Sequence, residues 1–256
     1  MVSMTMVSQI PQGRRISAAQ TSEWLGAGWR DMWRRPDLSL GFGALYAGIG
    51  GMLSVILTAL DMGSLMFPLA AGFMLVGPLA AVFLFEISRR YEREEEVSLS
   101  LVLRGVAERG GQVGNMGLVL SMLMMLWLLA GAVVFALFYP PGVPLPLESF
   151  ITDVVLRPES MPFLVAGTLA GGAVATIAFA VSVFAMPLLL DRDVGVVEAI
   201  GFSVHAVVIN WRTMIGWAAT IAVITFFGIA FIYIGLVVAL PLVAHASWHA
   251  YRDVAR

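Results

Sequence analysis

The fold is decided by 32 consecutive uncharged residues, Thr213 to Ala244, which read TMIGWAATIAVITFFGIAFIYIGLVVALPLVA. About 20 apolar residues are enough to cross a bilayer as a helix, so this stretch predicts a membrane protein. The next residues, His245-Ala-Ser-Trp-His-Ala-Tyr-Arg252, include two of the three histidines of the chain. Candidate site chemistry is therefore concentrated where the apolar stretch ends.

The composition points to the same class of protein. Hydrophobic residues make up 59% of the chain and charged residues 12%, whereas a soluble domain has roughly 25% charged residues. The lack of cysteine excludes disulfides and thiolate chemistry, and the lack of lysine excludes a Schiff base. A net charge of -2 without a clustered basic face argues against a nucleic-acid partner. The sequence predicts an all-α, polytopic membrane bundle that is not an enzyme and carries no cofactor.

Uncharged runs predict six transmembrane helices in a single membrane domain over residues 17–256, preceded by a mobile cytoplasmic tail over residues 1–16. The spans are expected at about residues 38–60, 65–87, 116–138, 161–190, 213–228 and 230–250. The last two share a segment barely long enough for two crossings, so five spans is the alternative.

Three amphipathic helices are predicted at the membrane surface. The first follows Ser17-Ala-Ala-Gln20, which has capping-box spacing, and ends before Pro36. The second and third follow helical apolar spacing over residues 99–106 and 197–211. Each precedes an outgoing and a returning span, and Pro78, Pro187 and Pro241 lie near the ends of the returns. This order predicts a threefold repeat of amphipathic helix and helical hairpin.

The arginines predict the orientation, since positive charge in short loops stays on the cytoplasmic side. With a cytoplasmic C-terminus, 14 of the 15 arginines lie inside, and with an external C-terminus 12 of 15 do. We expect a protein of the bacterial inner membrane with a cytoplasmic N-terminus, and a cytoplasmic C-terminus if there are six spans.

His245 and His249 lie four residues apart and would share one helix face, as a pair of metal or haem ligands does. His205 is a distant candidate for a third ligand. The set lacks a nearby Cys, Asp or Glu, so an interfacial anchor is the stronger interpretation of this segment. The predicted interface anchors are Trp24, Trp29, Trp33, Trp248, Tyr251 and Arg252.

Span centres contain almost no ionisable residues, which argues against an ion or proton pathway. Glu86, near a span end, can pair with Arg89 or Arg90 at helical spacing. A path for a neutral solute would use the hydroxyl groups of Ser54, Thr58, Thr176, Ser182, Thr220 and Tyr233, although helix packing is the stronger explanation for such hydroxyls. Close helix packing is predicted at the small-residue pairs Gly167 with Gly171 and Ala44 with Gly48.

The segment from Pro241-Leu through His245-Ala-Ser-Trp-His-Ala-Tyr-Arg-Asp253 resembles an uncharacterised family of bacterial multi-pass integral membrane proteins, known only as a domain of unknown function. Trp24, the segment Trp29-Arg-Asp-Met-Trp33 and Pro36 support the resemblance. Members are sometimes labelled as cytochrome oxidase subunit I, but a chain with three histidines cannot supply the ligands of that enzyme. The resemblance implies a location and an architecture, not a reaction.

Three functions compete on this evidence. The leading hypothesis is a non-enzymatic accessory, assembly or structural factor that contacts membrane lipids and either a membrane-protein partner or further copies of itself. The second is a transporter or channel-like protein for a small neutral or apolar solute. The third is a haem, metal or quinone-associated protein that uses His245 and His249.

Overall fold

The computed structural model describes residues 10–11, 13–17, 19–139 and 147–256. The regular elements within these residues are helices, which confirms the predicted all-α class. The expected tail over residues 1–16 lies partly outside the described residues. Its residues 10, 11 and 13–16 do not match the expectation of a free tail, because they lie against the bundle through hydrogen bonds to Asn210 and Val254.

The first part of the bundle contains four helices: α1 (Gln20–Arg34), α2 (Pro36–Ala59), α3 (Met66–Ala80) and α4 (Val82–Glu92). Pro36 occupies the first turn of α2, where its missing N–H leaves no helical bond unmade. A tight turn with Asp61 at φ 56° leads to α3. Ala81 alone separates α3 from α4.

The middle part contains α5 (Leu99–Glu108), α6 (Gly110–Phe138), the short α7 (Leu147–Phe150), α8 (Met161–Ser182) and α9 (Ala185–Asp191). The helix α5 ends at Glu108 and α6 begins at Gly110, so α6 starts six residues before the predicted span.

The last part contains α10 (Val196–Ile209), α11 (Trp211–Ala230) and α12 (Leu236–Val254). The 32-residue apolar stretch is thus divided between two helices. Ile232 and Tyr233, both at positive φ, lie in the turn between them. This turn lies a few residues after the predicted boundary between the spans 213–228 and 230–250.

Among the described residues, four helical segments are long and apolar enough to cross a membrane: Pro36–Ala59, Gly110–Phe138, Pro158–Asp191 and Trp211–Ala230. Large apolar side chains on α6 face outward, and Leu118, Met122, Met125 and Leu129 are 61% to 71% exposed. Such a surface suits hydrocarbon and not water. The other two predicted spans correspond to α3 with α4, and to α12, whose second half is polar.

The core lies at one end of the bundle. Its most buried stretches are Val82–Ser88 in α4, Ala185–Leu190 in α9 and Ala244–Tyr251 in α12. These three helices, called the return helices below, pack against one another. The helices α1, α5 and α10 surround them. This end also carries most of the arginines and is called the Arg-rich end.

Candidate functional site

The histidine motif lies inside the core of the Arg-rich end. His245, Trp248 and Tyr251 share the inner face of α12, and each is completely buried. His249, on the neighbouring face, keeps 31% of its side chain exposed. The motif therefore packs against other elements of the protein and does not face outward.

His245 is held at both ring nitrogens. Its Nδ1 lies 2.8 Å from Ser88 Oγ on α4, and its Nε2 lies 3.0 Å from Ser39 Oγ on α2. Both serines are buried as well. A buried polar group is stable only when its hydrogen-bonding atoms are paired, and these two serines meet that requirement for the imidazole.

Asp31 is the charged centre of the same set, which we call the histidine network: Asp31, Ser39, Ser88, His245 and His249. Its Oδ2 accepts a hydrogen bond from Ser88 Oγ at 2.7 Å and lies 2.8 Å from His249 Nε2. Burial opposes ionisation of this carboxyl, but the bonds from His249 and Ser88 outweigh it and lower the pKa of Asp31 below its usual value. Asp31 thus remains an anion.

These contacts fix the direction of each hydrogen bond. Ser88 has a single O–H, and it donates that proton to Asp31, so it can only accept from His245. The proton of His245 is therefore on Nδ1, and Nε2 accepts from the Ser39 hydroxyl. His249 donates from Nε2 to Asp31. The network links α1, α2, α4 and α12 with every one of these donors matched to an acceptor.

A second polar cluster joins the ends of the three return helices. We call it the return-helix junction: Glu92, Arg93, Asp191, Trp248, Tyr251 and Arg252. Asp191 on α9 accepts from Arg93 at 3.1 Å, from the Tyr251 hydroxyl at 2.9 Å and from Arg252 at 3.0 Å. Glu92 on α4 accepts from Trp248 Nε1 at 3.2 Å and from Arg252 at 2.8 Å. Arg252 thus bridges the carboxylates of two different helices.

The junction keeps its donors protonated. Burial, together with the neighbouring Asp191 carboxylate, raises the pKa of the Tyr251 hydroxyl, which stays a donor. Burial opposes the charge of Arg252, but Glu92 and Asp191 outweigh that effect and raise the pKa of the guanidinium. The Tyr251 hydroxyl and the Arg252 guanidinium therefore act as fixed donors that hold α12 to α4 and α9.

Glu86 forms a third buried ionic group, and here the sequence prediction is confirmed. Its carboxylate accepts from Arg89 at 2.6 Å and 2.9 Å and from Arg90 at 2.9 Å. Arg90 also donates to the backbone carbonyls of Glu96 and Leu101. It thereby fixes the loop and the helix α5 that follow α4.

The predicted interface anchors fall into two groups. Trp29 and Trp33 are 47% and 48% exposed and contact each other edge to face, and their position at a membrane surface stays a prediction. Trp24, Trp248 and Tyr251 are wrong as anchors, since they are buried in the core. Their polar atoms find carboxylate partners inside the protein. Trp24 Nε1, for example, donates to Asp253 at 2.8 Å.

The histidines are not arranged as metal ligands. The part of the chain that the structure describes holds no group of three or more His, Asp or Glu side chains suited to a metal ion. The candidate third ligand, His205, is exposed on α10, beside Gly13. The nitrogens of His245 and the Nε2 of His249 instead form hydrogen bonds with serines and Asp31.

The small-residue pairs were only partly predictive of packing. A side chain on Gly171 would run into the Trp127 ring of α6, so Gly171 marks a close contact between α6 and α8. Gly167 and Gly48 face open space, and Ala44 is exposed. On α2, the close contacts with the α12 region use Gly43 and Gly50 instead.

Most of the proposed pathway hydroxyls bond within their own helices. Each of four donates to the carbonyl oxygen four residues earlier: Thr58, Thr176, Ser182 and Thr220. Ser54 and Tyr233 bond to each other at 2.7 Å and connect α2 to the turn before α12. These contacts are those of helix packing.

Sequence reasoning missed Asp31, Ser39, Ser88 and Asp191. A signal existed for Asp31, because it lies seven residues after Trp24 and so on the same buried face of α1. A lone carboxylate on an apolar helix face calls for a buried partner. The partners of His245 lie 157 and 206 residues away in the chain, and no local pattern could have indicated them.

Comparison with known protein families gives a match over the middle of the chain. Residues 66–191 match the model of a family described as predicted integral membrane protein, DUF2189. This segment runs from α3 to the end of α9, so it includes Ser88, Glu92 and Asp191 but neither α1 nor α12. The family is the one expected, but the motif on which the resemblance was based lies outside the matched residues. No curated protein and no solved structure matches the chain.

Proposed function

We propose that this chain, whose residues 66–191 belong to the DUF2189 family of predicted integral membrane proteins, is a non-enzymatic accessory, assembly or structural factor of a bacterial inner membrane. One observation carries the proposal. The side chains that could serve a reaction are used to join helices, as shown by Arg252, which bridges Glu92 and Asp191. A scaffold that presents surfaces to lipids and to partner proteins accounts for this use.

Six spans in three hairpins are part of the proposal. Each hairpin would consist of an amphipathic helix, an outgoing helix and a return: α1 with α2 and α3–α4, α5 with α6 and α8–α9, and α10 with α11 and α12. The meeting of α4, α9 and α12 at one end supports this order, because every return helix then ends beside the other two. The apolar part of α12 is short, so its crossing would rely on the turn at residues 231–235.

The proposed orientation places the Arg-rich end, with both termini, in the cytoplasm. The arginine distribution supports it, since this end holds most of the positive charge. Trp29 and Trp33 on the outer face of α1 would then lie at the level of the lipid headgroups.

Topology and assembly state test the proposal. Reporter fusions at Met62 and after Arg256 should give a periplasmic signal at the first site and a cytoplasmic signal at the second. A periplasmic signal at both sites would leave five spans and contradict the three hairpins. Purification in mild detergent should recover a stable membrane-protein partner or a discrete homo-oligomer, whereas a partner-free monomer would contradict an accessory role.

The two alternatives have less support. A transporter for a neutral solute would need free hydroxyl groups along its path, but Thr58, Thr176, Ser182 and Thr220 bond to their own helices. A haem or metal protein would need free imidazole nitrogens, and those of His245 are bonded to serines. An absorption spectrum and a metal analysis of the purified protein test the second alternative directly.

A further inference from the structure

A short extended segment before α1 lies in a groove at the Arg-rich end. This N-terminal arm consists of residues 10, 11 and 13–17. Its Arg14 N–H donates to the Val254 carbonyl at the end of α12, at 2.9 Å. At its other end, the Ser17 N–H donates to the Gln20 side chain, which begins α1. The arm therefore crosses the ends of helices that come from the last third of the chain.

Asn210 recognises the backbone of the arm. This buried side chain, between α10 and α11, donates to the Arg14 carbonyl at 3.0 Å and accepts from the Ile16 N–H at 2.9 Å. A carbonyl and the N–H two residues later point the same way in an extended chain, so one amide group can bind both, as a neighbouring strand would. Thr213 adds a longer bond of 3.4 Å to the Ile16 carbonyl. None of these contacts depends on a particular side chain in the arm.

The side chains of the arm define what the groove accepts. Ile10 and Ile16 are half-buried against the main core. Gly13 has φ +72° and lies against Phe202, His205 and Ile209, a conformation that glycine adopts without strain. The intervening Arg14 and Arg15 are exposed. A ligand needs two large aliphatic residues six positions apart, with a glycine three positions after the first.

We propose that this groove is a recognition site for an extended segment of a partner protein, and that the arm is its resident occupant. The groove is lined by Phe202, His205, Ile209, Asn210, Thr213 and Val254. The arm belongs to no helix or sheet, and it is held by the side chains of Asn210 and Thr213 and by the Val254 carbonyl at the end of α12. Segments with so few backbone hydrogen bonds typically open locally at low free energy. A partner segment with the same pattern replaces it. This inference rests on the proposed accessory role and specifies which residues the segment of the partner must contain.

The test measures binding of a labelled peptide with the sequence of residues 10–17, IPQGRRIS, to the full chain in nanodiscs. The variant Ile10→Asp/Ile16→Asp releases the arm but keeps the groove, and it should bind the peptide. The wild type should bind at least about tenfold more weakly, because a tethered occupant acts at roughly millimolar effective concentration. Adding Asn210→Leu to the released variant should abolish binding. The exposed Asn115→Leu, the matched control, should not.

Several results would overturn the inference. One is a folded, arm-released variant that does not bind the peptide, with folding judged by its melting temperature and elution volume. Should that variant not fold, Gly13→Val provides a milder release, and absence of peptide binding to it has the same meaning. A wild-type dimer that dissociates when the arm is released would assign the groove to a second copy of this chain. Peptide binding and partner co-purification can fail independently, so the failure of this inference is distinguishable from failure of the accessory role.

Discussion

Replacing Asp31 by asparagine tests whether the histidine network holds the Arg-rich end together. Asp31 is 7% exposed, and one oxygen receives both Ser88 and His249. Hydrogen bonds to a charged group contribute roughly 1.5–3 kcal/mol each. A carboxamide keeps one acceptor oxygen but loses the charge, so Asp31→Asn should lower the free energy of unfolding by about 2–3 kcal/mol. For a chain of this size that corresponds to a melting temperature lower by about 4–12 °C.

The matched control is Asp37→Asn, six residues along the chain. Asp37 pairs with Arg35 at 2.8 Å, but its side chain is 59% exposed, and exposed ion pairs add little stability. Thermal unfolding of both variants, followed by circular dichroism in the same detergent, gives the comparison. If Asp31→Asn melts within a degree or two of Asp37→Asn, the network does not stabilise the fold and the reasoning is refuted.

Acid should reduce the difference in stability between wild type and Asp31→Asn. A carboxyl group whose pKa is lowered in the folded state stabilises the fold above its unfolded pKa of about 4, and this contribution disappears as the pH falls through the folded pKa. The difference in melting temperature between wild type and Asp31→Asn should therefore be full at neutral pH and shrink below about pH 4. A difference that stays constant down to pH 3 would show that the carboxylate charge is not the cause.

Two further predictions concern packing, and both are measured as thermal unfolding in detergent. Trp248→Ala should destabilise the protein by about 3–5 kcal/mol because it empties a fully buried site, while Trp33→Ala should stay within about 0.5 kcal/mol; equal effects would mean that both side chains are surface anchors. Gly171→Val should destabilise by about 1–3 kcal/mol because the new side chain meets Trp127. Gly167→Val should be nearly neutral, and a reversal of that order would contradict the packing of α6 on α8.

Much of the helical structure could be predicted from local patterns in the sequence. The pairing of Glu86 with Arg89 and Arg90 was predictable because the partners lie three and four residues apart on one helix. The boundary at Pro36 was predictable because proline favours the first turn of a helix. The division of the last apolar stretch between α11 and α12 was expected from its length. In each case the physical cause lies within a few residues of its effect.

The candidate site could not be assembled from the sequence in the same way. The bond between Asp31 and His249 joins residues 218 positions apart. Tryptophan is common at membrane surfaces, so all three Trp of α1 were assigned there, but the fold turns Trp24 inward, on the same face as Gly28 and Asp31. The tryptophans of α1 are residues typical of a membrane interface, but whether each one is buried or exposed depends on packing between helices that are distant in the sequence.

The return-helix junction has a consequence for the order in which the protein is made. Glu92 and Asp191 leave the ribosome well before Arg252, so their carboxylates are made before the guanidinium that bridges them. A chain that ended before Tyr251 would leave Asp191 with only Arg93 of these three donors. Since a buried charge that lacks part of its partners is destabilising, the contacts among the return helices become complete only when α12 has been made.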